Sequence, residues 1–216
     1  MKKPFKIISF DMDGTLTLGT TSLQFYVTKL HQEKKAKELE ELYKTHRIDD
    51  FQIANAYAEI LKGISKKKFD DWTQQIPRVE SIGETVKKFK EQGLIVGITS
   101  VGPYFASEVY QRLFGFDFVS GSLHEFKNGI HAGRMIKTLT GRDKVIILDS
   151  ICRRYRFSFS QIIAVGDSRS DLPIFEMAGF SIALNADENL KDKTDCFIKS
   201  NNLLEVYLAI QNKLNN

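Results

Sequence analysis

Strand-like apolar segments alternate with amphipathic helical segments along most of this chain. Short apolar runs predict buried strands, and they occupy residues 5–10, 94–99, 116–119, 161–165 and 180–184. Segments with a helical spacing of apolar residues separate these runs. Such alternation is typical of a parallel sheet with helices on both faces. The sequence therefore predicts an α/β fold built on a Rossmann-like parallel sheet.

Local turn signals predict several element boundaries. Asn128 and Gly129 stand between two extended segments, and an Asn-Gly pair is a strong hairpin signal. Two capping-box patterns predict helix starts, and they are Ser81 with Glu84 and Thr140 with Asp143. Gly93 follows the first of these helices, as expected beyond a helix C-terminus.

A helical block interrupts the alternation after the first strand. Between residues 22 and 75, apolar residues recur at spacings of three and four, and Pro77 closes the block. We therefore expect a core formed by residues 1–17 and 79–216, and an inserted helical cap formed by residues 18–78. Ligands of open α/β sheets bind at the carboxyl ends of the strands, and the insertion follows such an end. The cap is therefore expected to act as a lid.

The composition is that of an ordinary globular chain. Of its 216 residues, 42% are hydrophobic and 27% are charged, which excludes disorder or a coiled coil as a description of the whole chain. The formal net charge is +4 and the basic residues are spread along the chain, so no nucleic-acid partner is expected. No segment approaches the roughly 18 consecutive apolar residues of a membrane helix, so no membrane span is expected.

The cysteine and histidine content narrows the possibilities further. Cys152 and Cys196 form no CxxC pattern and are too few for a disulfide scaffold, so a cytoplasmic location is expected. The four histidines show no metal-ligand spacing, so no transition-metal site is expected. The oligomeric state stays open.

Acidic pairs follow two of the predicted strands. Asp11 and Asp13 come directly after the first strand, and Asp167 and Asp171 follow the strand at residues 161–165. If these strands are neighbours, several carboxylates crowd together, and such crowding is unfavourable unless a cation intervenes. Oxygen ligands of this kind suit Mg²⁺. Each motif alone is also compatible with a polar turn or a helix cap, but both at strand ends favour a site.

Four sequence features belong together: DMDGTLT at residues 11–17, ITS at residues 98–100, Lys144, and GDSRSD at residues 166–171. In this combination they resemble the motifs of the haloacid dehalogenase (HAD) superfamily of hydrolases, and within it the phosphoserine-phosphatase-like branch. It extends over nearly the whole chain and is weakest in the helical insertion. It implies a HAD-like core with an inserted cap.

The resemblance implies a chemical role for each aspartate. Asp11 resembles the nucleophile that forms an aspartyl phosphate. Asp13 resembles the general acid and base that protonates the leaving alkoxide and then activates water. In the family, Mg²⁺ is bound by the first carboxylate, the backbone carbonyl of the second aspartate and an aspartate of the last motif. The corresponding residues are Asp11, Asp13 and Asp167.

The remaining motifs correspond to groups that bind the phosphoryl oxygens. Ser100 resembles the hydroxyl that binds phosphate together with the amides of Val101 and Gly102. Lys144 resembles the fixed positive charge beside the transferring phosphoryl group. Asp171 would orient Lys144 or a metal-bound water. Apart from the resemblance, Ser100 is compatible with a helix cap and Lys144 with any helical lysine.

The chain departs from the phosphoserine-phosphatase pattern at a few positions. That branch carries a glutamate for the substrate amine shortly after its first motif, whereas this chain has Thr20, Thr21 and Ser22. The family loop GDGAND is GDSRSD here, and its Ser-Gly-Gly is Ser-Val-Gly. Arg47 in the insertion is compatible either with contact to a substrate carboxylate or with an exposed position. These departures affect substrate recognition rather than phosphate chemistry.

The function predicted from the sequence is that of a Mg²⁺-dependent phosphomonoesterase with a small-molecule phosphomonoester as substrate. Two alternatives stay open: a phosphotransferase on the same scaffold, and a phosphate-binding regulatory protein without turnover. A dehalogenase would lack a counterpart of Asp13. Phosphoserine is the substrate that the resemblance implies.

Overall fold

The computed structural model describes residues 5–215, except for the side chains of Asp50 and Asn215. Residues 1–4 and 216, at the outer ends of the predicted core ranges, lie outside the described residues. The first strand leads into four helices, as the periodicity predicts: β1 (Ile7–Phe10), α1 (Ser22–Lys29), α2 (Glu33–Lys44), α3 (Asp50–Ile60) and α4 (Lys66–Thr73).

The remaining elements alternate between α-helix and strand, except that two pairs of strands follow one another without an α-helix between them. They are α5 (Ile82–Glu91), β2 (Ile95–Pro103), α6 (Tyr104–Phe114), β3 (Phe118–Lys127), β4 (Ile130–Lys137), α7 (Gly141–Tyr155), β5 (Ile162–Gly166), α8 (Leu172–Phe175), β6 (Phe180–Leu184), β7 (Cys196–Ile198) and α9 (Leu204–Asn215). The hairpin between β3 and β4 turns at Asn128 and Gly129, as predicted, and both residues have positive φ.

The strands form one sheet in the order β4-β3-β2-β1-β5-β6-β7. All neighbouring pairs are parallel except β3 with β4, which are antiparallel. Strand β1 is central, with β2 on one side and β5 on the other. The predicted α/β fold with a mainly parallel, Rossmann-like sheet is confirmed.

Both faces of the sheet are covered by helices. Ile8 and Phe10 of β1 point to one face, where they join a core with residues of α5, α6 and α9. Ile7 points to the other face and packs with Leu148 of α7 and Ile174 of α8. This alternation along β1 buries the strand on both sides, which explains its continuous apolar run.

Among the described residues, backbone hydrogen bonds join the block of helices α1 to α4 to the rest of the chain at two places. The chain enters and leaves them side by side, where the Leu18 amide donates to the Pro77 carbonyl at 2.8 Å. At the second place, the turn between α3 and α4 pairs with the hairpin, since the His131 amide donates to the Ile64 carbonyl at 2.9 Å and the Gly63 amide to the His131 carbonyl at 2.9 Å. The helical block is thus linked to the sheet through backbone hydrogen bonds at two separate points.

Several local predictions need correction. Strand β2 does not end at residue 99 but continues through Ser100 to Pro103, because β3 pairs with it along this extension. Helix α5 begins as predicted, but Ser81 makes no capping hydrogen bond because its backbone is left-handed, with φ of 60°. Strand β7 was not predicted, since its three half-buried residues carry too short a pattern.

Candidate active site

The carboxyl end of β1 is the centre of the candidate site. The Asp11 amide donates to the Val165 carbonyl at 2.8 Å, which continues the pairing of β1 with β5 by one residue. The Asp11 side chain is 4% exposed, and its Oδ1 accepts a hydrogen bond from the Met12 amide at 2.7 Å. Asp11 is therefore held in one orientation by its own loop.

Lys144 places a buried positive charge beside Asp11. Its side chain is 0% exposed, and its Nζ lies 3.1 Å from Asp11 Oδ2 and 2.6 Å from Asp171 Oδ1. The capping box of Thr140 with Asp143 forms as predicted and begins the helix that carries this lysine. Burial alone would lower the pKa of Lys144, but the two carboxylates raise it above its usual value. The lysine is therefore charged.

Asp167 completes a group of three carboxylates. Carboxylate oxygens of Asp11, Asp167 and Asp171 all lie within 4.8 Å of one another. Thr15 Oγ1 donates to Asp167 Oδ1 at 3.1 Å. Gly14 has a φ of +83°, and a Cβ atom there would lie 2.1 Å from Asp167 Oδ2, so a side chain at this position would displace the carboxylate. These three aspartates are called the carboxylate cluster below.

The carboxylate cluster contains more negative charge than its lysine balances. Burial raises the pKa of Asp11 to about 7, although Lys144 acts to lower it. Burial raises the pKa of Asp167 to about 8, and the charges of Asp11 and Asp171 add to this rise. A divalent cation would stabilise the ionised carboxylates, and closely spaced carboxylate oxygens are the donors that Mg²⁺ prefers. The residues present therefore fit the predicted metal.

Asp13 is held by the first residue of α1. The Ser22 amide donates to Asp13 Oδ1 at 2.7 Å, and the Ser22 hydroxyl donates to Asp13 Oδ2 at 2.8 Å. Burial raises the pKa of Asp13, and these two hydrogen bonds act to lower it. A Cβ atom on Gly102 would lie 2.5 Å from Asp13 Oδ2. The Asp13 carboxylate thus lies between α1 and the end of β2.

Residues 100–102 form a fixed segment next to Asp13. Ser100 is buried, and its Oγ accepts a hydrogen bond from the Gly102 amide at 3.1 Å. Ser122 on β3 anchors this segment, because its hydroxyl donates to the Val101 carbonyl at 2.7 Å and accepts from the Leu139 amide at 2.9 Å. The predicted phosphate-binding segment therefore lies at the same edge of the sheet as the carboxylates.

All of the predicted site residues come together at this edge, but the sequence did not indicate the residues that support them. Thr15 belongs to the first motif, so its contact with Asp167 could have been expected. Ser22 and Ser122 carry no local signal, since each acts on a residue that the fold alone brings near. Arg47 is exposed in the segment between α2 and α3, and Arg169 of the GDSRSD loop is exposed as well.

Two histidines form a second buried polar contact, on the β3–β4 hairpin. His124 Nδ1 and His131 Nε2 lie 2.8 Å apart, and the Gly133 amide donates to His131 Nδ1 at 3.0 Å. Burial lowers the pKa of His124 to about 3 and that of His131 to about 4. These residues, called the histidine pair below, pack among aromatic rings that include Phe69, Phe105 and Phe126. The predicted hairpin did not indicate this contact, because the strand register pairs His131 with Phe126 and His124 with Met135 rather than the two histidines with each other.

Comparison with known proteins agrees with this arrangement. A profile of the haloacid dehalogenase-like hydrolase family matches residues 8–176. A phosphoserine phosphatase of Methanocaldococcus jannaschii is 27% identical over 212 residues, which cover 98% of this chain and 100% of that protein. A phosphoserine phosphatase of Archaeoglobus fulgidus is 30% identical over 205 residues, covering 92% of this chain but only 58% of that protein.

Solved structures of phosphoserine phosphatases have the same architecture. One, an analogue of a phospho-aspartyl intermediate, superposes with a TM-score of 0.81 at 25% identity and covers 96% of this chain and 99% of its own. A HAD family hydrolase of Salmonella enterica has a TM-score of 0.84 at 20% identity, over 90% of this chain and 67% of its own, and this likeness concerns the fold alone.

None of the helices within residues 5–215 has the length and apolar character needed to cross a membrane.

The comparisons identify the class to which this protein belongs. The predicted resemblance and the prediction of a hydrolase of the phosphatase class are confirmed by the family profile and by the relatives. With its match over residues 8–176 and its shared fold, the chain belongs to the haloacid dehalogenase-like hydrolase family.

Proposed function

We propose that this chain is a Mg²⁺-dependent phosphomonoesterase that hydrolyses a small phosphate ester through a phosphorylated Asp11. The observation that carries the proposal is the arrangement of Asp11 Oδ2. This oxygen lies at the carboxyl end of the central strand, 3.1 Å from the Lys144 ammonium, within a cluster of three carboxylates that fits a divalent cation.

In the first step, Asp11 acts as the nucleophile. Its Oδ atom attacks phosphorus, a new bond forms between this oxygen and phosphorus, and the bond from phosphorus to the ester oxygen breaks. Asp13 gives its proton to the departing alkoxide. The raised pKa of Asp13, caused by burial, favours the protonated form that this step requires. The products are a free alcohol and an aspartyl phosphate.

In the second step, water takes the place of the alcohol. Asp13, now ionised, accepts a proton from a water molecule, and the resulting hydroxide attacks phosphorus. The bond between phosphorus and the Asp11 oxygen breaks, which releases inorganic phosphate and restores both carboxyl groups to their starting states. One residue thus serves as acid and then as base.

The residues around the phosphoryl group neutralise its charge. We assign the Ser100 hydroxyl and the amides of Val101 and Gly102 to the phosphoryl oxygens, and Lys144 to the charge that develops during transfer. The Asp11 and Asp167 carboxylates and the Asp13 carbonyl would hold Mg²⁺, with Asp171 orienting Lys144. When bound, Mg²⁺ offsets the repulsion between the carboxylates and the phosphate.

The substrate class and the division of the chain also belong to this proposal. We assign residues 1–17 and 79–216 to the catalytic core and residues 18–78 to the cap, which the adjacent entry and exit at Leu18 and Pro77 support. The names of the relatives support phosphoserine as the first substrate to test. Two free cysteines support a reducing, cytoplasmic location.

Phosphate release from a panel of esters tests the proposal. The panel holds phosphoserine, glycerol phosphate, phosphoglycolate, sugar phosphates and nucleotides, each with Mg²⁺ and with a chelator. The wild-type chain is expected to release phosphate from at least one ester only with Mg²⁺. Asp11→Asn is expected to lower the rate at least a thousandfold, roughly the loss seen when a nucleophile is removed.

Asp71→Asn is the matched control for this substitution. This variant makes the same type of change on the surface of α4, where the Asp71 carboxylate forms an ion pair of 2.9 Å with the exposed Lys67. This variant should retain the wild-type rate. Release of phosphate that survives in Asp11→Asn would contradict the role of Asp11, and transfer to an added alcohol in place of water would indicate a phosphotransferase.

A further inference from the structure

Ser22 contacts the Asp13 carboxylate through two donors, one on each oxygen. The backbone amide donates to Oδ1 at 2.7 Å and the hydroxyl donates to Oδ2 at 2.8 Å. The Ser22 side chain is 0% exposed, so neither hydrogen bond competes with bulk water. An Asp side chain is free to rotate, and two converging donors remove that freedom. Ser22 therefore determines the direction in which the Asp13 carboxylate points.

The two donors make the oxygens of Asp13 unequal. A backbone amide can only donate, so Oδ1 stays an acceptor in both protonation states. A hydroxyl can rotate, so the contact at Oδ2 tolerates the gain and loss of a proton on that oxygen. Oδ2 is also the oxygen closest to the position of a Cβ atom on Gly102, at 2.5 Å, within the segment that carries Ser100. The oxygen that can exchange a proton is thus the one beside the phosphate-binding segment.

We propose that Ser22 is a positioning residue that directs Oδ2 of Asp13 toward the leaving-group oxygen. This inference rests on the proposed function, because it concerns how the acid of that reaction is oriented. Proton transfer requires the acid to lie within hydrogen-bond distance and in line with the oxygen that it protonates. Because Ser22 is the first residue of α1, the orientation of the acid depends on the helix that begins the cap.

The test compares two esters that differ in their need for an acid. An alkyl phosphate releases a strongly basic alkoxide that must be protonated, whereas p-nitrophenyl phosphate releases a stable phenolate without a proton. We would measure kcat/KM for p-nitrophenyl phosphate and for the alkyl phosphate of the panel that the wild-type chain cleaves fastest. This constant reports the first step, in which the alcohol leaves.

Ser22→Ala removes the hydroxyl and leaves the amide in place. We expect kcat/KM for the alkyl phosphate to fall about tenfold or more, the order of loss that a misplaced catalytic group causes. The value for p-nitrophenyl phosphate should change much less, so the ratio between the two esters is the decisive readout. Ser22→Thr keeps a hydroxyl and should restore the ratio, and Ser22→Cys, with a weaker donor of similar size, should give an intermediate ratio.

Thr21→Ala is the matched control for damage to α1. Thr21 Oγ1 caps the same helix by accepting a hydrogen bond from the Gln24 amide at 3.2 Å and is one residue from Ser22. The Thr21→Ala variant is expected to have a lower thermal stability, while the ratio of its kcat/KM values for the two esters stays unchanged. If Ser22→Ala slows both esters equally, or if Thr21→Ala changes the ratio in the same way, Ser22 serves the stability of the helix and the inference is wrong.

The outcome also separates this inference from the proposed function. Cleavage of both esters by the wild-type chain, with an unchanged ratio in Ser22→Ala and Ser22→Cys, contradicts only the role of Ser22. If the wild-type chain releases phosphate from none of the esters in the panel, the proposed phosphatase reaction is contradicted, and the role of Ser22 is contradicted with it.

Discussion

The carboxylate cluster and the histidine pair are both buried groups of titratable side chains, but their charges are handled in opposite ways. In the carboxylate cluster, one ammonium faces three carboxylates. Burial raises the pKa values of Asp11 and Asp167, and the charges of the neighbouring carboxylates add to this rise. A divalent cation, as proposed above, would offset this negative charge.

The histidine pair satisfies itself without a ligand. The Gly133 amide occupies Nδ1 of His131, so the neutral His131 ring carries its proton on Nε2 and donates it to His124 Nδ1. Burial lowers the pKa of both rings, which keeps them neutral at neutral pH. A buried titratable group therefore indicates a ligand only where its own neighbours leave charge unbalanced. Three measurements would test this comparison.

The largest effect is expected from Lys144→Met. Removing the ammonium leaves the buried carboxylates without their countercharge and takes away the group assigned to the phosphoryl charge. We expect phosphate release to fall about a hundredfold to a thousandfold, which is typical for loss of a pre-placed electrostatic group. Thermal unfolding should also shift to lower temperature, because breaking a buried ion pair is destabilising.

Lys87→Met is the control for this substitution. The Lys87 side chain is 77% exposed and pairs weakly with Glu91 at 3.8 Å, so its loss should change neither rate nor stability appreciably. Wild-type turnover in Lys144→Met would mean that Lys144 only fills a structural role and would remove the contrast between the two clusters.

A smaller effect, on stability alone, is expected from His131→Leu. This change leaves the Gly133 amide and His124 Nδ1 without their partners. We expect the free energy of unfolding, from urea titration, to fall by about 2 kcal/mol, since unpaired buried polar groups cost this order of energy. Phosphate release should stay at the wild-type rate.

The double variant His124→Leu/His131→Leu sharpens this result. It removes both rings, so only the Gly133 amide is left unpaired, and its loss of stability should be less than the sum of the two single losses. A loss of turnover in these variants without a loss of stability would instead assign the histidine pair to the reaction.

The smallest effect is a difference in the pH dependence of stability. For Asp11 and Asp167 the pKa in the folded state, about 7 and about 8, exceeds the ordinary value of 3.8. Their contribution to the stability of the folded state is fully present below pH 3.8 and is lost as the pH rises through the folded-state pKa values of about 7 and about 8. For the histidine pair, the pKa is lowered from 6.5 to about 3 and about 4, so its contribution is present above pH 6.5 and is lost as the pH falls.

Unfolding at a series of pH values, with a chelator and with Mg²⁺, separates the two contributions. Mg²⁺ should stabilise the chain at pH 8 more than at pH 5, because protons compete for the carboxylates at the lower pH. Asp167→Asn should weaken this stabilisation by Mg²⁺, whereas the double histidine variant should retain it. The stability of the double histidine variant should also decline less than that of the wild-type chain as the pH falls. Equal stabilisation by Mg²⁺ at both pH values would contradict a metal site in the carboxylate cluster.

Local patterns were sufficient to predict most of the elements. The apolar runs, the Asn128-Gly129 turn and the capping box at Thr140 depend on residues within a few positions of one another, so their physics is present in the sequence. Ser81 is the exception, since its left-handed backbone prevented the predicted capping bond. Strand β7 was missed because three half-buried residues are too few for a periodic signal.

The amino-acid sequence was sufficient to predict the family of this chain, because the acidic pairs follow two strands and the motifs match one hydrolase family. Which side chains lie in contact became known from the three-dimensional structure. Lys144 and Asp171 are in contact although they are 27 positions apart in the sequence, and Thr15 and Asp167 are in contact although they are 152 positions apart. The contact of Ser22 with Asp13 depends on how the chain enters α1, and that of His124 with His131 depends on the irregular register of the predicted hairpin. Contacts between distant elements depend on strand order and helix placement, which no local pattern encodes.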